Sequence, residues 1–372
     1  MERRAVAPRP DYQRKLEEQG LSFHSWDDYW KEDVCYRFSA AEVDTIESAA
    51  EELHRMCVSA ARYIVTTRRL GKLGIPEAFW PAIEDSLRGS DFTLYGRFDL
   101  AYDGQSPPKL LEYNADTPTS LLESAVCQWY WMEDKFPGAD QFNSLHERLI
   151  AQWRRLPGSG PVHVASLKDN EEDWVCATYL QDTIVQAGRE ARHIAIEDIG
   201  WDAGRATFVD LDDRPIETLF KLYPWEWMLR EEFGQNVIGA ATRFVEPLWK
   251  SILSCKGLLP LLWQLYPDHP NLLPAFFEPG QLTSYAKKPL YSREGANVQL
   301  VADGRVLAEG GGPYGEEGYV YQALAPTPSF GGKYPVIGAW IVGDAAAGMC
   351  IREDRTPITT NLSNFVPHYF EP

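Results

Sequence analysis

Arg97 and Asp99 on one segment, and Glu112 and Asn114 on another, are the residues whose types and spacing best suit chemistry. Within each pair the residues are two positions apart, so on a β-strand both side chains project from the same face. The turn-rich segment 103–108 predicts a hairpin between the two segments. A turn centred there places Asp99 opposite Glu112 and Arg97 opposite Asn114, with all four side chains on one face.

Two carboxylates that face each other across a strand pair repel unless a cation lies between them. Carboxylate and amide oxygens suit Mg²⁺, which commonly shares the phosphates of a substrate. Asp99, Glu112 and Asn114 are therefore candidate metal ligands, and Arg97 is a candidate contact for a phosphoryl oxygen. The alternative interpretation is an ordinary solvated hairpin face.

A second group of candidates lies in the last third of the chain. In segment 287–298 a lysine-bearing strand leads into a short polar loop, so Lys288 and nearby backbone amides could close over a polyphosphate. Lys256 fits a solvated surface lysine as well as it fits a nucleotide ligand. Gln322 ends a strand-like run that could hydrogen-bond a flat adenine. Arg352 is a candidate anion contact, with a surface ion pair as the equal alternative.

Two further elements are predicted with clear boundaries. The S-x-x-E pattern at 39–42 is a capping box that starts an amphipathic packing helix reaching about residue 64. An α/β unit follows later, with strands at 161–167 and 192–197 and a helix from Glu171 to Gln186. Its acidic, glycine-free loop 168–173 lies at the carboxyl end of a strand, where such sheets bind ligands, and suits a cationic group better than phosphate.

Two other stretches have a less specific pattern. The aromatic stretch 220–227 is interpreted mainly as core. Segment 257–320 is rich in Pro and Gly and predicts tight loops around short strands.

Composition excludes several classes of protein. The chain has 372 residues, enough for roughly two or three structural units. It carries 36 Lys and Arg against 54 Asp and Glu, and the resulting net charge of −18 disfavours binding to nucleic acid or to an anionic membrane. The six cysteines are spread singly, which indicates reduced thiols, and no apolar run approaches the ~20 residues of a membrane span. A cytoplasmic protein is expected.

The chain lacks the sequence motifs of several other kinds of active site. The chain has no P-loop, G-x-G-x-x-G, G-x-S-x-G or H-E-x-x-H pattern, and its seven histidines lack the spacing of a zinc site.

Four motifs taken together resemble the synthetase domain of glutathionylspermidine synthases, and the resemblance extends over nearly the whole chain. The motifs are Tyr95-Gly96-Arg97-Phe98-Asp99, Leu111-Glu112-Tyr113-Asn114-Ala115-Asp116-Thr117-Pro118, Lys288-Pro289 with Arg293-Glu294-Gly295-Ala296-Asn297-Val298, and Thr359-Thr360-Asn361-Leu362-Ser363-Asn364-Phe365-Val366-Pro367-His368. The resemblance implies an α+β protein with an ATP-grasp fold. Its order would be permuted, as in eukaryotic glutathione synthetases, with an additional α/β substrate-binding unit.

The resemblance also implies roles for individual residues. Mg²⁺ would lie on Asp99, Glu112 and Asn114. ATP would be bound by Lys256 and Lys288, together with Arg97; Gln322 and Arg352, proposed above from the residues alone, complete the expected ATP contacts. Catalysis would involve Arg97 on the transferring phosphate, Arg293 on a mobile lid near the acid substrate, and Arg352. Substrates would contact Glu172, Arg293 and Thr117, with Glu172 on the amine side. For the acidic loop, the alternative is an ordinary helix start favoured by the helix dipole.

The expected activity is an ATP- and Mg²⁺-dependent carboxylate–amine ligase that forms an amide through an acyl phosphate. It would join a glutathione-like or peptide carboxylate to a polyamine or another amine. The alternative is a nucleotide-binding module without ligase activity, acting as a sensor or partner protein.

The expected segments are 1–158 with the hairpin, 159–235 as the substrate unit and 236–372 as the nucleotide lid and core return. Bifunctional members carry an amidase domain ahead of the synthetase, and we expect a stand-alone synthetase here; a homodimer is left open.

Overall fold

The computed structural model describes residues 1–89, 91–361 and 363–371. Leu362, part of the C-terminal motif, lies outside the described residues. Helices, in chain order, are α1 (Tyr12–Glu18), α2 (Ala40–Thr66), α3 (Trp80–Arg88), α4 (Gln128–Lys135), α5 (Leu145–Arg154), α6 (Glu171–Gln186), α7 (Trp225–Met228), α8 (Ser251–Ser254) and α9 (Leu258–Leu265).

Strands, in chain order, are β1 (Glu2–Ala5), β2 (Val34–Ser39), β3 (Tyr95–Ala101), β4 (Lys109–Asn114), β5 (Val162–Ser166), β6 (Ala191–Ala195), β7 (Gly200–Asp202), β8 (Thr207–Val209), β9 (Thr218–Lys221), β10 (Arg243–Val245), β11 (Ala275–Phe276), β12 (Tyr285–Pro289), β13 (Gln299–Ala302), β14 (Arg305–Glu309), β15 (Tyr319–Ala323), β16 (Tyr334–Val342), β17 (Ala345–Asp354), β18 (Asn364–Phe365) and β19 (His368–Glu371).

The central sheet is antiparallel, with strand order β18-β17-β16-β3-β4. The predicted hairpin is confirmed as β3–β4, and its register pairs Asp99 with Glu112 and Arg97 with Asn114. On the far side of β3, Gly338 of β16 lies opposite Asp99. A Cβ at Gly338 would come within 2.9 Å of Arg97 Cδ, so glycine there leaves the room that the arginine needs.

The predicted amphipathic helix is α2, and it packs against β16 and β17. Its capping box forms as expected, because the Ser39 side chain accepts from the Glu42 backbone N–H and Glu42 accepts from the Ser39 backbone N–H at 2.8 Å. Val43, Ile46 and Leu53 on its inner face belong to the hydrophobic core. As predicted, this helix is a packing element.

The α/β unit forms a parallel sheet of order β10-β9-β5-β6, with α6 packed on β5 and β6. Helix α6 has the predicted bounds of Glu171 and Gln186. Asn170 caps it by accepting from the Asp173 backbone N–H at 3.0 Å. The carboxyl ends of β5 and β9 therefore face the same region as the start of α6.

The third large sheet, named the lid sheet below, is antiparallel with order β11-β15-β12-β13-β14. Just before it lies α9, a helix within the segment predicted as loops around short strands. Its sequence, Leu-Leu-Pro-Leu-Leu-Trp-Gln-Leu, is apolar on nearly every side and buried on most. A short helix whose residues are nearly all apolar shows no alternation of polar and apolar positions, which is why the pattern missed it.

Smaller sheets complete the fold. Strands β1, β2 and β19 form a three-stranded sheet, and β7 pairs with β8. Within the residues that the structure describes, no helix combines the length and the apolarity that crossing a bilayer requires.

Candidate active site

A cleft open to solvent, with about 210 Å³ of space accessible to water-sized molecules, lies where the three large sheets meet. The β3–β4 hairpin lines one end with Arg97, Asp99, Glu112 and Asn114. The α/β unit supplies the loops after β5 and β9, and the lid sheet supplies the loop after β12. The cleft therefore collects residues that are far apart in sequence.

At the hairpin end each carboxylate has a cation from the chain itself. Arg97 Nε donates to Asp99 Oδ1 at 2.8 Å, and Arg97 Nη1 donates to the Thr119 carbonyl at 2.8 Å. Lys256 Nζ lies 2.9 Å from Glu112 Oε2 and donates to the Ser292 carbonyl at 2.8 Å. The predicted repulsion between the facing carboxylates is thus balanced within the protein.

Burial and these cations act in opposite directions on the hairpin carboxylate Glu112. Burial favours its neutral form, but Lys256 and Lys288 hold the pKa of Glu112 below its ordinary value. Likewise, burial disfavours the charge on Arg97, yet Asp99 raises the pKa of that guanidinium above its usual range. Both groups are therefore charged at neutral pH.

Lys288 and Gln322 connect the lid sheet to the edge of the central sheet. Lys288 Nζ donates to the Leu111 carbonyl and to Gln322 Oε1, both at 2.8 Å. Gln322 Nε2 in turn donates to the Leu110 carbonyl at 2.8 Å. Burial of the ammonium lowers the pKa of Lys288 to about 8, although Glu112 opposes this shift. Lys288 and Gln322, two of the residues predicted to bind ATP, thus lie close to the candidate metal ligands of the hairpin.

Arg352 also lines the cleft, and among the described residues it has no ion-pair partner. Its Nη1 donates to Ser120 Oγ at 3.0 Å, and its Nη2 donates to the carbonyls of Thr360 and Asn361, each at 3.1 Å. The guanidinium lies 5.2 Å from the centroid of the Tyr29 ring. Arg352 therefore holds the 360–361 segment, which itself lines the cleft.

Arg293 forms a partly buried ion pair that the sequence did not predict. Its Nη2 and Nε lie 3.2 and 3.3 Å from Glu226 Oε1, and its guanidinium lies 5.7 Å from the centroid of the Trp227 ring. Glu226 and Trp227 both line the cleft. They stand in the aromatic stretch interpreted as core, where Trp225 is indeed fully buried. No spacing signal in that stretch distinguishes the residues that face the cleft.

Three further carboxylates, Glu172, Asp173 and Glu294, line the cleft and are named the acidic wall below. Burial, and then the charges of Glu172 and Glu294, raise the pKa of Asp173 to about 7 despite the opposing effect of Arg293. Glu172 and Asp173 also occupy the first turn of α6, where the helix dipole favours acidic residues. Both interpretations of this loop are therefore compatible with the geometry.

Thr117 is buried and lines the cleft. Among the described residues its Oγ1 has no hydrogen-bond partner. A buried hydroxyl without a partner is unfavourable, so a ligand that hydrogen-bonds Thr117 gains from satisfying it.

The turn that presents Glu226 and Trp227 rests on a buried ion pair. Lys221 Nζ lies 2.7 Å from Asp116 Oδ1, and both side chains are fully buried. Asp116 Oδ2 accepts from the Trp225 backbone N–H at 2.8 Å, which fixes the start of α7. Asp116 belongs to one of the predicted motifs, but its structural role could not be inferred without knowing that Lys221 lies beside it.

The family model described as glutathionylspermidine synthase preATP-grasp matches residues 3–371. A Haemophilus influenzae protein whose name describes an acid–amine ligase is 44% identical, covering 98% of each chain. Trypanothione synthetase from Crithidia fasciculata is 30% identical over 83% of this chain, and the bifunctional glutathionylspermidine synthetase/amidase of Escherichia coli is 29% identical over 88%. This chain spans 52% and 58% of those two longer relatives.

Among solved structures, a glutathione synthetase-like effector from Globodera pallida matches with a TM-score of 0.58 and 10% identity, covering 98% of this chain and all of the other. The predicted fold is confirmed at the level of a mixed α+β, glutathione-synthetase-like architecture. The family predicted from the four motifs is confirmed as well: the chain belongs to the glutathionylspermidine synthase family, a family of amide-forming ligases.

Proposed function

We propose that this protein is an ATP- and Mg²⁺-dependent carboxylate–amine ligase that joins a glutathione-like or other peptide carboxylate to a polyamine or another amine. The names of its relatives support this pair of substrates. The observation that carries the proposal is that one cleft holds both the hairpin carboxylates, each paired with a cation, and the acidic wall.

The hairpin suits Mg²⁺ that shares its coordination with substrate better than it suits a metal coordinated by protein ligands alone. Among the described residues, no cluster of three or more His, Cys, Asp or Glu side chains could hold a metal ion. Mg²⁺ needs only one or two carboxylates when substrate phosphates and waters complete its coordination. Asp99, Glu112 and the amide of Asn114 meet that requirement. Bound there, Mg²⁺ would neutralise phosphate charge during transfer.

The chain's own groups then suit each stage of ligation. The substrate carboxylate attacks the γ-phosphorus of ATP, giving an acyl phosphate and ADP, and the amine displaces phosphate to form the amide. Arg97 and Lys256 supply positive charge at the hairpin end for the phosphoryl group. Arg293 lies on the loop that follows β12 and lines the cleft. There a substrate carboxylate could compete with Glu226 for the Arg293 guanidinium. Closure over the acyl phosphate would exclude water.

The acidic wall supports a cationic second substrate. Burial, together with the charge of Glu172, raises the pKa of Asp173 and of Glu294, so both carboxylates would gain from an ammonium group placed beside them. A polyamine carries several such groups. We therefore assign the amine to this wall and the acid to the region between the wall and the hairpin.

The proposal extends to organisation and location. We propose a permuted ATP-grasp order, with segment 1–158 supplying the metal ligands, 159–235 the substrate unit and 236–372 the nucleotide lid. We place the reaction in the cytoplasm, where ATP is at hand and the six buried free cysteines stay reduced.

Phosphate release from Mg²⁺-ATP, screened with glutathione and related acids against polyamines and amino acids, tests the proposal. We expect release only when both an acid and an amine are present. Asp99→Asn and Glu112→Gln should each abolish turnover, whereas Glu309→Gln on exposed β14 should leave it unchanged. ATP binding without release that depends on both substrates would leave a nucleotide-binding module instead, and full activity in both hairpin variants would overturn the metal assignment.

A further inference from the structure

Four apolar residues line the cleft and are named the apolar floor below: Leu167, Leu222, Pro224 and Trp227. These residues follow the carboxyl ends of the parallel strands β5 and β9. Trp227 is half-buried and is the largest of the four, whereas Trp225, two positions earlier, is fully buried. Leu222 and Pro224 are buried, so Trp227 and Leu167 supply most of the apolar surface that a ligand in the cleft could contact.

The floor is held in place before any ligand binds. The Asp116 carboxylate fixes the Trp225 backbone, and Lys221 lies 4.1 Å from the centroid of the Trp225 ring. The rings of Tyr223 and Trp227 meet edge to face at 5.5 Å. A ring fixed in this way loses little conformational entropy when a ligand packs on it.

Charges around Trp227 define the polar part of the ligand. The Arg293 guanidinium lies against the ring, and Glu226 is its only ion-pair partner among the described residues. A ligand whose carboxylate approaches Arg293 would place its neighbouring atoms against Trp227. The acidic wall would repel that carboxylate and suits the amine instead.

We infer that Trp227 determines specificity for the acid substrate, and that this substrate is a peptide-like acid with an apolar side chain on the residue adjoining the one that bears its reacting carboxylate. The inference rests on the proposed ligase function and adds a residue and a substrate feature to it. A compact polar acid would leave the floor exposed to water. An acid with an aliphatic, thiol or aromatic side chain would cover it, and each buried methylene would favour the fitting substrate.

A series of γ-glutamyl-X-glycine tripeptides tests this inference, with X being serine, alanine, leucine or phenylalanine. Phosphate release is measured with Mg²⁺-ATP and spermidine for the wild type, Trp227→Ala, Trp227→Phe and Trp26→Ala. The wild type should show kcat/KM at least about tenfold higher for leucine than for serine. Trp227→Ala should remove most of that preference, and Trp227→Phe should retain much of it.

Trp26 is half-exposed and lies outside the cleft, so Trp26→Ala should keep the wild-type preference. The KM for ATP should be unchanged in every variant, which separates loss of acid recognition from general damage. Equal kcat/KM across the series in the wild type, or an undiminished preference in Trp227→Ala, would overturn the inference and leave the ligase proposal intact. Absence of phosphate release with every tripeptide would reject this class of acid, and absence with all acids of the wider screen would reject the ligase itself.

Discussion

The buried ammonium of Lys288 should make the stability of the free protein depend on pH. Its pKa is about 8 in the folded protein, against 10.5 as the ordinary value for lysine. Between these values the unfolded chain keeps a proton that the native state has released, so stability must rise with pH across this window. At about 1.36 kcal/mol per unit, the interval of roughly 2.5 units corresponds to about 3 kcal/mol.

The measurement is urea unfolding of the nucleotide-free protein at about pH 7, 8.5 and 10, compared with Lys288→Met. The wild type should gain up to about 3 kcal/mol relative to the variant across this range. Lys287→Met is the matched control, because Lys287 is the adjacent residue of β12, only half-buried and packed at 4.0 Å from the centroid of the Tyr319 ring. That control should follow the wild type.

Nucleotide binding gives an independent check on the same residue. Phosphate oxygens favour the charged ammonium, so Mg²⁺-ATP should bind more weakly as the pH rises above about 8. Lys288→Met should weaken ATP binding roughly tenfold or more, since a charge-assisted hydrogen bond contributes about 1.5–3 kcal/mol. An identical pH dependence of unfolding in wild type and Lys288→Met would refute the buried-ammonium reasoning. Wild-type ATP affinity in that variant would remove Lys288 from the nucleotide site.

Two other changes probe the cleft and its support. Glu172→Gln should raise the KM of a polyamine by roughly tenfold and leave ATP affinity unchanged. Glu171→Gln is the control, because Glu171 lies in the same helix turn but is exposed. Unchanged amine kinetics in Glu172→Gln would leave only the helix-start role for Glu172. Lys221→Met should destabilise the fold by about 3–5 kcal/mol in urea unfolding because Asp116 is left buried and unpaired. Adding Asp116→Leu to Lys221→Met should recover part of that loss, and a single variant as stable as wild type would contradict the role of the pair.

Local patterns predicted those parts of the site that neighbouring residues determine. The hairpin register followed from a two-residue period on each side of one turn, and α6 followed from its acidic start and a glycine stop. The family motifs indicated the functional candidates, and the structure brings most of them to one cleft. Their individual roles in binding and catalysis stay predictions.

What the sequence could not provide depends on contacts between distant segments. Glu226 and Trp227 face the cleft because Asp116, more than a hundred residues earlier, anchors the start of α7. Likewise, Lys288 meets the carbonyl of Leu111 only because the lid sheet lies against β4. Helix α9 was missed for a different reason, since a segment that is apolar on nearly every side shows no period to detect.

The pairing of β3 with β16 has a consequence for synthesis of the protein. Strand β3 carries Arg97 and Asp99, yet its inner neighbour β16 begins only at Tyr334. While the ribosome makes the intervening segments, one edge of the β3–β4 hairpin lacks the strand that protects it, and unpaired edges promote association with other chains. Closing such a long loop is also slow. On a stalled ribosome, the hairpin should therefore become resistant to protease only after the chain has emerged past Val342.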